Sequence, residues 1–318
     1  MSLPLVSVIC LCYRHEQFLE EAILSVIRQT YGNVEIIVVD DASPDGSRKK
    51  IEELLSAYPE IRFLPLEKNL GNCAAFNRGL SLCKGEFVVD FSTDDVMLPE
   101  RIEKQIAFFG SLDASHGVVF TDVLYIDEKG HPLYQHYDHL RRKKLLKNIP
   151  TGDIYADVLR RYFISGPSML VRREVFDDLG GYDEHLAYED FDFWVRSSRN
   201  FKYAFLNEVL TKVRKPRNSL STAAYVPGNL QLYSTYLVCR KARELNTSKE
   251  DYKALLQRLR YELRHAVFTG NYREAHFFLG FILEINGLNL GDEFLLLLMR
   301  LRIPLKGVRR LYHRLRYG

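Results

Sequence analysis

The sequence lacks the features of a disulfide-rich, zinc-binding or membrane-spanning protein. Its five cysteines form no C-x-x-C pair and have no histidine at a zinc-site spacing, so we expect reduced thiols in a cytoplasmic protein. Residues 1–5 carry no basic segment ahead of an apolar run, and we expect no secretory signal. The most apolar stretch, 277–299, contains five polar or charged residues, which favours a buried helical pair over a bilayer span.

Glycine-rich phosphate-binding loops are also absent. The first predicted strand is followed by Tyr13-Arg14-His15-Glu16 and not by the G-x-G-x-x-G that lets a pyrophosphate approach the backbone in NAD and FAD enzymes. No Walker loop occurs either. The composition, with 47% hydrophobic and 27% charged residues, excludes the disordered and fibrous classes.

The chain has little net charge, but that charge is unevenly distributed. The 318 residues contain 44 Lys and Arg against 41 Asp and Glu. Residues 215–318 contain 18 basic and 8 acidic side chains, whereas residues 1–214 contain 26 and 33. An acidic front part therefore precedes a basic tail.

The N-terminal part alternates apolar runs of strand length with segments of helical period. The runs lie at 6–12, 35–39, 61–66 and 86–91. Continuous apolar strands are typical of a parallel sheet covered on both faces. The alternation therefore predicts an α/β protein whose strands are joined by right-handed crossovers.

The later part of the chain is predicted to be less regular. We expect a basic loop at 136–147 and helices from residue 225 onward. A stretch at 214–221, rich in Lys, Arg, Pro, Asn and Ser, predicts a domain boundary. The predicted organisation is one domain at 1–218 and an α-helical region at 219–318.

Aromatic and acidic side chains follow three of the predicted strands. Tyr13 comes after the first strand, Asp41 after the second, and Asp94 and Asp95 after the fourth. In an open parallel sheet, ligands bind outside the carboxyl ends of the strands, so these residues predict a nucleotide site. The ring would stack on a base, Asp41 would accept a base N–H, and the carboxylate pair would contact the ribose and Mg²⁺ or Mn²⁺.

Each of these features also has a purely structural interpretation. A strand-end aspartate is more often a helix cap or turn residue than a ligand. The acidic cluster Glu189-Asp190-Phe191-Asp192 is equally typical of a helix N-terminus that interacts with the helix dipole. No single motif separates these alternatives.

A set of motifs in a fixed order resembles the family 2 glycosyltransferases of the GT-A fold. The motifs are Val6-Ser7-Val8-Ile9 with Tyr13, Val38-Val39-Asp40-Asp41-Ala42-Ser43-Pro44-Asp45-Gly46, Asn69-Leu70-Gly71, Asn77-Arg78-Gly79, Lys84-Gly85-Glu86, Thr93-Asp94-Asp95, Gly180-Gly181-Tyr182-Asp183 and Glu189-Asp190-Phe191-Asp192-Phe193-Trp194. Each motif is weak alone, whereas the ordered set is specific. The resemblance implies a Rossmann-like mixed sheet flanked by helices, followed by the α-helical C-terminal region.

The resemblance further implies an inverting transfer of a sugar from a nucleotide diphosphate donor, with UDP as the expected nucleotide. Tyr13 and Asp41 would hold the base and Asp94 the ribose, and Asp95 would bind the Mn²⁺ or Mg²⁺ ion that bridges the diphosphate. Asp190 would be the general base, and Glu189 would orient it or bind the acceptor. The acceptor is expected to be a glycan or lipid-linked glycan in bacterial surface polysaccharide synthesis.

Three positions differ from the pattern that is common in the family. Ser92 stands where many members have an aspartate, and Phe76 where many have an arginine. Arg214-Lys215-Pro216-Arg217 replaces an Arg-x-His, and we expect one of its cations to face the phosphates. The missing histidine and Ser92 are consistent with a rival interpretation, a non-catalytic nucleotide-sugar or glycan-binding module that has kept the fold. A nucleotidyltransferase is disfavoured because no glycine-rich phosphate loop is present.

The C-terminal segment 300–318 contains seven basic residues, no acidic residue and interleaved apolar residues. This pattern predicts an amphipathic helix on an anionic membrane surface, or equally a helix packed on the protein with its cations in water. The first interpretation predicts a cytoplasmic protein at the inner face of the plasma membrane. No nucleic-acid-binding motif accompanies the charge, so we expect no nucleic acid partner.

Overall fold

A computed structural model of the protein describes residues 3–215 and 226–301, so Arg217 and residues 302–318 lie outside the described residues. The strands are β1 (Val6–Cys12), β2 (Val34–Asp40), β3 (Arg62–Pro65), β4 (Phe87–Ser92), β5 (Val96–Met97), β6 (His116–Ile126), β7 (Pro132–Gln135), β8 (Leu170–Arg172) and β9 (Lys202–Arg214). The helices are α1 (Leu19–Ile27), α2 (Ser47–Leu55), α3 (Asn72–Leu80), α4 (Arg101–Phe109), α5 (His136–Arg142), α6 (Tyr155–Arg160), α7 (Arg173–Leu179), α8 (Asp190–Ser197), α9 (Gln231–Leu245), α10 (Lys249–Thr269), α11 (Tyr272–Ile285) and α12 (Leu290–Arg300).

The strands of the described chain form one mixed sheet. Its order is β3-β2-β1-β4-β8-β6-β9-β5, and β7 pairs with β6. Strands β1 to β4 run parallel, as the sequence predicts, with Val6 opposite both Val34 and Phe87. Strand β8 is antiparallel to β4 and β6. The predicted class, a Rossmann-like mixed sheet flanked by helices, is therefore confirmed.

Strand β1 lies inside the sheet, and apart from Ser7 its side chains are apolar on both faces. All seven residues of β1 are buried. Val8 belongs to one core cluster with Phe91 of β4 and Ile23 of α1. Burying side chains of this size contributes about 1.5–3 kcal/mol each relative to exposure, so the first strand and its helix stabilise the edge that carries the site.

One motif glycine occupies a position where a side chain could not fit. Gly181 has a φ of +82°, and a Cβ there would lie 2.5 Å from Asn77 Oδ1. The Asn77 amide donates to the Tyr182 carbonyl at 2.8 Å and accepts the Tyr182 backbone N–H at 2.9 Å. Two of the motifs recognised in the sequence therefore fix each other in space.

Two elements differ from the sequence predictions. The stretch predicted as a basic loop contains α5, because Tyr137 and Leu140 bury one face of a helical turn while Arg141 and Arg142 stay exposed. The 13-residue strand β9 was not predicted. It pairs with β6 through several register shifts, and these shifts break the alternation of apolar and polar residues that marks a strand.

The chain divides into two compact units. Unit 1 comprises Met1–Ile154, Phe163–His185 and Ser197–Pro216 and contains the whole sheet; unit 2 comprises Tyr155–Tyr162, Leu186–Arg196 and Arg217–Gly318. Unit 2 thus combines the predicted helical region with two segments from earlier in the chain. The predicted boundary at residue 218 stays a prediction. Among the described helices, none combines the length and apolarity needed to cross a bilayer.

Candidate functional site

The loops that follow β1, β2 and β4 are joined by hydrogen bonds at the carboxyl edge of the sheet in unit 1. The backbone N–H groups of Arg14 and His15 donate to Ser43 Oγ and Ser47 Oγ, each at 3.1 Å. The His15 ring lies 2.9 Å from Thr93 Oγ1 in the loop after β4. The three loops that carry the predicted nucleotide-binding residues therefore form one connected surface.

Tyr13 presents an exposed aromatic ring on this surface, with 38% of the residue accessible. The guanidinium carbon of Arg14 lies 5.2 Å from the centre of the ring. Arg14 has a φ of +61°, so the chain turns sharply directly after Tyr13. An exposed ring with an adjacent cation has the shape and chemistry to stack on a planar base.

Asp41 is held by backbone amides. Its Oδ1 accepts the Leu70 N–H at 2.7 Å, and its Oδ2 accepts the Gly71 N–H at 3.0 Å. Burial raises the pKa of the Asp41 carboxyl, while these two hydrogen bonds oppose the shift. Each carboxylate oxygen has a second lone pair. Asp41 therefore fixes the loop before α3 and still has acceptor capacity for a base N–H.

Asp94 is oriented by Ser92, one of the positions that differ from the family pattern. Ser92 Oγ donates to Asp94 Oδ1 at 2.5 Å. A hydroxyl at this position supplies a hydrogen-bond donor where an aspartate would add a further negative charge. The Asp94 side chain stays partly exposed, so its second oxygen can reach a ribose hydroxyl.

His15 belongs to this site, although the sequence reasoning missed it. The Thr93 hydroxyl donates its single proton to the Leu11 carbonyl at 3.0 Å, so Thr93 Oγ1 accepts from His15 Nδ1–H. In the neutral ring Nε2 then carries the lone pair, and it lies 3.9 Å from Asp94 Oδ2. A cation bound at the Nε2 lone pair would therefore lie beside this carboxylate oxygen. A lone histidine in a polar loop carries no sequence signal for such a role.

Asp95 is a buried carboxylate, and its Oδ1 accepts the backbone N–H of Arg214 at 2.8 Å. Burial and the charge of Asp94 raise the pKa of the Asp95 carboxyl well above its usual range, although Arg214 and Arg101 oppose the shift. Burial also lowers the pKa of Arg101 to about 9. The loop after β4 therefore holds more negative charge than its surroundings stabilise.

The residues of this edge fit a divalent metal ion, provided that the donor completes the coordination shell. Within residues 3–215 and 226–301, no group of three or more His, Cys, Asp or Glu side chains is arranged to hold a metal on its own. Asp94, Asp95 and His15 offer carboxylate oxygens and an imidazole nitrogen. Mg²⁺ and Mn²⁺ are commonly bound by one or two carboxylates together with substrate phosphates.

Arg214 has its guanidinium engaged by the protein. It is buried, and it lies 4.6 Å from the centre of the Phe18 ring. Its donors reach the carbonyls of Asp94, Asp127 and Glu128 and the carboxylate of Glu21. Arg214 therefore fastens the loop after β4 to the end of β9, and these contacts account for its charge without a phosphate.

The structure describes two of the residues expected to face the phosphates, Arg214 and Lys215. Of these two, Lys215 is the exposed one. Its Nζ donates to the Tyr134 hydroxyl at 2.7 Å and lies 4.1 Å from the centre of the Tyr125 ring. Cation–π contacts of this kind stabilise a lysine without neutralising its charge. The positive charge of Lys215 can therefore attract an anionic ligand such as a nucleotide diphosphate.

Glu189 and Asp190 belong to unit 2, whereas Tyr13, Asp41, Asp94 and Asp95 belong to unit 1. Asp190 is the first residue of α8, and both acidic residues are half-buried. The Phe193 N–H donates to the Glu189 carbonyl at 2.9 Å. The predicted acidic helix start is therefore present, and Asp190 keeps surface that an acceptor hydroxyl could reach.

Helix α9 holds the chain just before Asp190. The Ala187 N–H donates to Ser234 Oγ at 2.9 Å, and the Tyr188 hydroxyl lies 2.7 Å from Thr235 Oγ1. Both partners are neighbouring residues of one helix turn. The hydrogen bonds from α9 thus help to set the position of the acidic cluster within unit 2.

Asp192 is the fully buried member of the acidic cluster. Its Oδ2 accepts from Arg196 Nε at 2.7 Å, and its Oδ1 accepts from Lys241 Nζ at 2.7 Å. A buried carboxylate requires such partners, because desolvation otherwise penalises its charge. Asp192 therefore has a structural role, and it ties α8 to α9.

Replacement of Lys241 by methionine is expected to lower the free energy of unfolding by about 1–3 kcal/mol, since a hydrogen bond to a buried charged group is lost. Arg196 would remain as the second partner of Asp192. The measurement is the urea midpoint of the variant beside Lys253→Met. Lys253 is exposed and makes one distant ion pair, so its variant should change little. Equal midpoints for both variants would contradict the assigned role of Lys241.

Two aromatic residues in or next to the family motifs, Phe76 and Trp194, are buried. Phe76 is fully buried, with its ring centre 4.2 Å from Tyr182 and 5.1 Å from Phe176. Trp194 is buried, and its ring centre lies 5.9 Å from that of Tyr162. The aromatic residue at position 76 therefore fills space between α3 and α7 and does not face a phosphate.

The sheet order and its acidic carboxyl edge are those of a GT-A fold. S. aureus TarS, residues 1–349 in complex with UDP-GlcNAc, matches with a TM-score of 0.69 at 18% identity, over 88% of this chain and 81% of that one. The mannosyltransferase PcManGT from Pyrobaculum calidifontis, in complex with GDP-Man and Mn²⁺, matches with a TM-score of 0.62 at 17% identity, over 99% and 85%. At these identities the likeness establishes the fold.

The chain belongs to glycosyltransferase family 2, whose family model matches residues 7–180. An uncharacterized glycosyltransferase of Rickettsia typhi is 35% identical over 217 residues, which is 66% of this chain and 64% of the relative. The amylovoran biosynthesis glycosyltransferase AmsE of Erwinia amylovora is 30% identical over 231 residues, which is 70% of this chain and 81% of AmsE. The match thus spans 64% of the length of the Rickettsia relative.

Proposed function

We propose that this protein transfers a sugar, with inversion, from a UDP-sugar to a glycan or lipid-linked glycan in bacterial surface polysaccharide synthesis. The observation that carries the proposal is the connected edge of Tyr13, Asp94 and Asp95 in a member of glycosyltransferase family 2. Support for the donor class comes from TarS, whose structure contains UDP-GlcNAc. Support for the process comes from AmsE, which is named for amylovoran biosynthesis.

The donor nucleotide is assigned to the exposed edge of unit 1. The Tyr13 ring stacks on the base, and Asp41 accepts a base N–H with the lone pairs that Leu70 and Gly71 leave available. Asp94, oriented by Ser92, accepts a ribose hydroxyl. The positive charge of Lys215 attracts the diphosphate.

The metal is assigned to Asp95, with Asp94 and His15 beside it. A bound Mn²⁺ or Mg²⁺ ion would neutralise the charge that develops on the departing diphosphate. Asp95 is suited to hold a cation, because its own charge is poorly compensated in the buried loop. His15 Nε2 takes the place of the imidazole that the Arg-x-His pattern supplies elsewhere in the family.

Replacement of His15 by glutamine is expected to weaken Mn²⁺ binding at least about tenfold in the presence of UDP, since even a residue that only supports a metal ligand typically contributes that much to affinity. The measurement is electron paramagnetic resonance of free Mn²⁺, which needs no turnover. His131→Gln is the matched control, since His131 is exposed and pairs with Asp127. Identical Mn²⁺ titrations for His15→Gln and the wild type would remove His15 from the metal site.

Asp190 is assigned as the general base. Its carboxylate takes the proton of the acceptor hydroxyl while the hydroxyl oxygen bonds to the anomeric carbon from the face opposite the diphosphate. The bond from that carbon to the diphosphate oxygen breaks, and the diphosphate leaves with the electron pair. Glu189 orients Asp190 or binds the acceptor.

The proposed location is the cytoplasm at the inner face of the plasma membrane, where a lipid-linked acceptor would be found. The basic, acid-free sequence 300–318 supports this location, since each Lys or Arg near an anionic surface contributes about 1 kcal/mol. Residues 302–318 lie outside the described residues.

A thermal-shift panel of UDP- and GDP-sugars, each with Mn²⁺ and with a chelator, tests the donor assignment. A ligand that binds the native state at a hundredfold excess over its Kd stabilises it by about 2.7 kcal/mol. We expect the largest rise in midpoint with a UDP-sugar and only in Mn²⁺. A larger rise with a GDP-sugar would reassign the nucleotide, and no rise with any donor would overturn the proposal. Binding without UDP release would favour the non-catalytic rival.

A further inference from the structure

We propose that α12 and the adjoining face of α10 form a docking surface for an anionic lipid bilayer. Lipid phosphate binds at Arg264, and an apolar stripe on α12 enters the headgroup–acyl boundary. The proposal rests on the membrane location proposed above, but apart from Leu301 it uses residues that precede the segment 300–318, all of them within the described part of unit 2.

The apolar stripe is a row of large side chains on one side of α12. It consists of Leu290, Phe294, Leu297 and Leu301, each at least 50% exposed. At about 100° per residue, their spacing places all four within a sector of about 60°. The other side of the helix buries Leu295 and Met299. The stripe is therefore an exposed apolar patch that the core of unit 2 does not bury.

A cavity of about 290 Å³ adjoins the stripe, and its lining includes Arg260, Arg264, Phe268, Phe294 and Leu295. Phe294 belongs to both the stripe and the cavity. The two arginines are four residues apart on α10, so they lie on the same helix face. The cavity therefore places positive charge next to the apolar stripe.

The two arginines differ in how the protein uses their charge. Arg260 Nε donates to Asp292 Oδ2 at 3.0 Å, and this pair leaves little net charge. Arg264 is half-buried, and within the described parts of unit 2 it takes part in no hydrogen bond or ion pair. A guanidinium in a partly apolar cavity favours an anion such as a phosphate.

A bilayer fits both features at once, because a phospholipid joins a phosphate covalently to acyl chains. The stripe is also followed in sequence by the basic segment 300–318, whose charge complements an anionic leaflet. A free phosphate would use Arg264 and leave the stripe exposed. A second copy of the chain would cover the stripe but bring two equally basic tails together. These observations favour the bilayer.

The test is co-sedimentation of the full chain with vesicles of phosphatidylcholine alone or with phosphatidylglycerol in equal parts. We expect binding only with phosphatidylglycerol. Phe294→Ser/Leu297→Ser should weaken it at least about tenfold, and Arg264→Gln about fivefold.

Leu133→Ser is the matched control, since Leu133 in β7 of unit 1 has the same 50% exposure as Leu297, and this variant should bind as the wild type does. All variants should keep the wild-type unfolding midpoint, because the changed side chains are exposed or half-buried at the surface.

Four results would overturn the proposal. The first is that the wild type does not bind the anionic vesicles, and the second is that the double variant binds them as well as the wild type does. The third is that inorganic phosphate at moderate concentration abolishes binding while the double substitution does not weaken it, which would assign the cavity to free phosphate. The fourth is that the wild type is a dimer and the double variant a monomer in sedimentation velocity, which would assign the stripe to a second copy. Because no donor or acceptor is present, such failures leave the proposed sugar transfer untouched.

Discussion

Replacement of Asp190 by asparagine is expected to slow sugar transfer about a thousandfold while UDP binding stays unchanged. Asparagine retains the size of the side chain but cannot take the proton of the acceptor hydroxyl. The measurements are the initial rate of UDP release, with the donor found by the thermal-shift panel and membrane lipid as acceptor, and a calorimetric titration of UDP with Mn²⁺.

Asp192→Asn provides the contrast on the same helix. Asp192 is buried and paired with Arg196 and Lys241, so its variant should lower the unfolding midpoint together with the rate. Asp190→Asn should lower the rate alone. Full activity of Asp190→Asn would contradict its assignment as the general base. Glu189 and Asp190 would then be acidic residues that only stabilise the N-terminus of α8.

Replacement of Asp95 by asparagine is expected to abolish the Mn²⁺ dependence of UDP binding. The wild type should bind UDP at least about a hundredfold more tightly in Mn²⁺ than in EDTA, because an ion held at Asp95 would add attraction for the negatively charged diphosphate. The variant should bind equally weakly in both. The measurement is calorimetry under the two conditions, and a variant that still responds to Mn²⁺ would remove Asp95 from the metal site.

The unfolding midpoint of Asp95→Asn without metal shows whether the variant is folded. Burial and Asp94 raise the pKa of the Asp95 carboxyl, so above that pKa its charge destabilises the folded state relative to the unfolded chain. A neutral amide removes this penalty and still accepts the Arg214 N–H. The metal-free unfolding midpoint at neutral pH should therefore be equal or higher.

The fold and the chemical nature of the edge could be predicted because both depend on local sequence. A strand buried on both faces must be continuously apolar, which identified β1, and polar residues at the ends of parallel strands necessarily share one edge. The individual roles of Tyr13, Asp41, Asp94, Asp95, Glu189 and Asp190 stay predictions. The structure adds the contacts that hold them.

Other features depend on contacts between distant residues and left no local signal. His15 matters through Thr93, a residue 78 positions away. Lys241 pairs with Asp192 across 49 positions. Arg214 looked like a phosphate ligand in the sequence, yet its guanidinium is used by acceptors on several loops. Such pairings appear only when the chain is folded.

The bonds from α9 to the acidic cluster bear on how proteins of this family can diverge. Asp192 lies in the acidic motif and Tyr188 directly before it, whereas their partners Lys241 and Thr235 lie on α9 in the C-terminal part of the chain. A recombination that exchanged this part between two relatives would separate each residue from its partner. A chimera that keeps the acidic cluster of this chain should therefore also keep α9, because Thr235 and Lys241 are the partners on which Tyr188 and Asp192 depend.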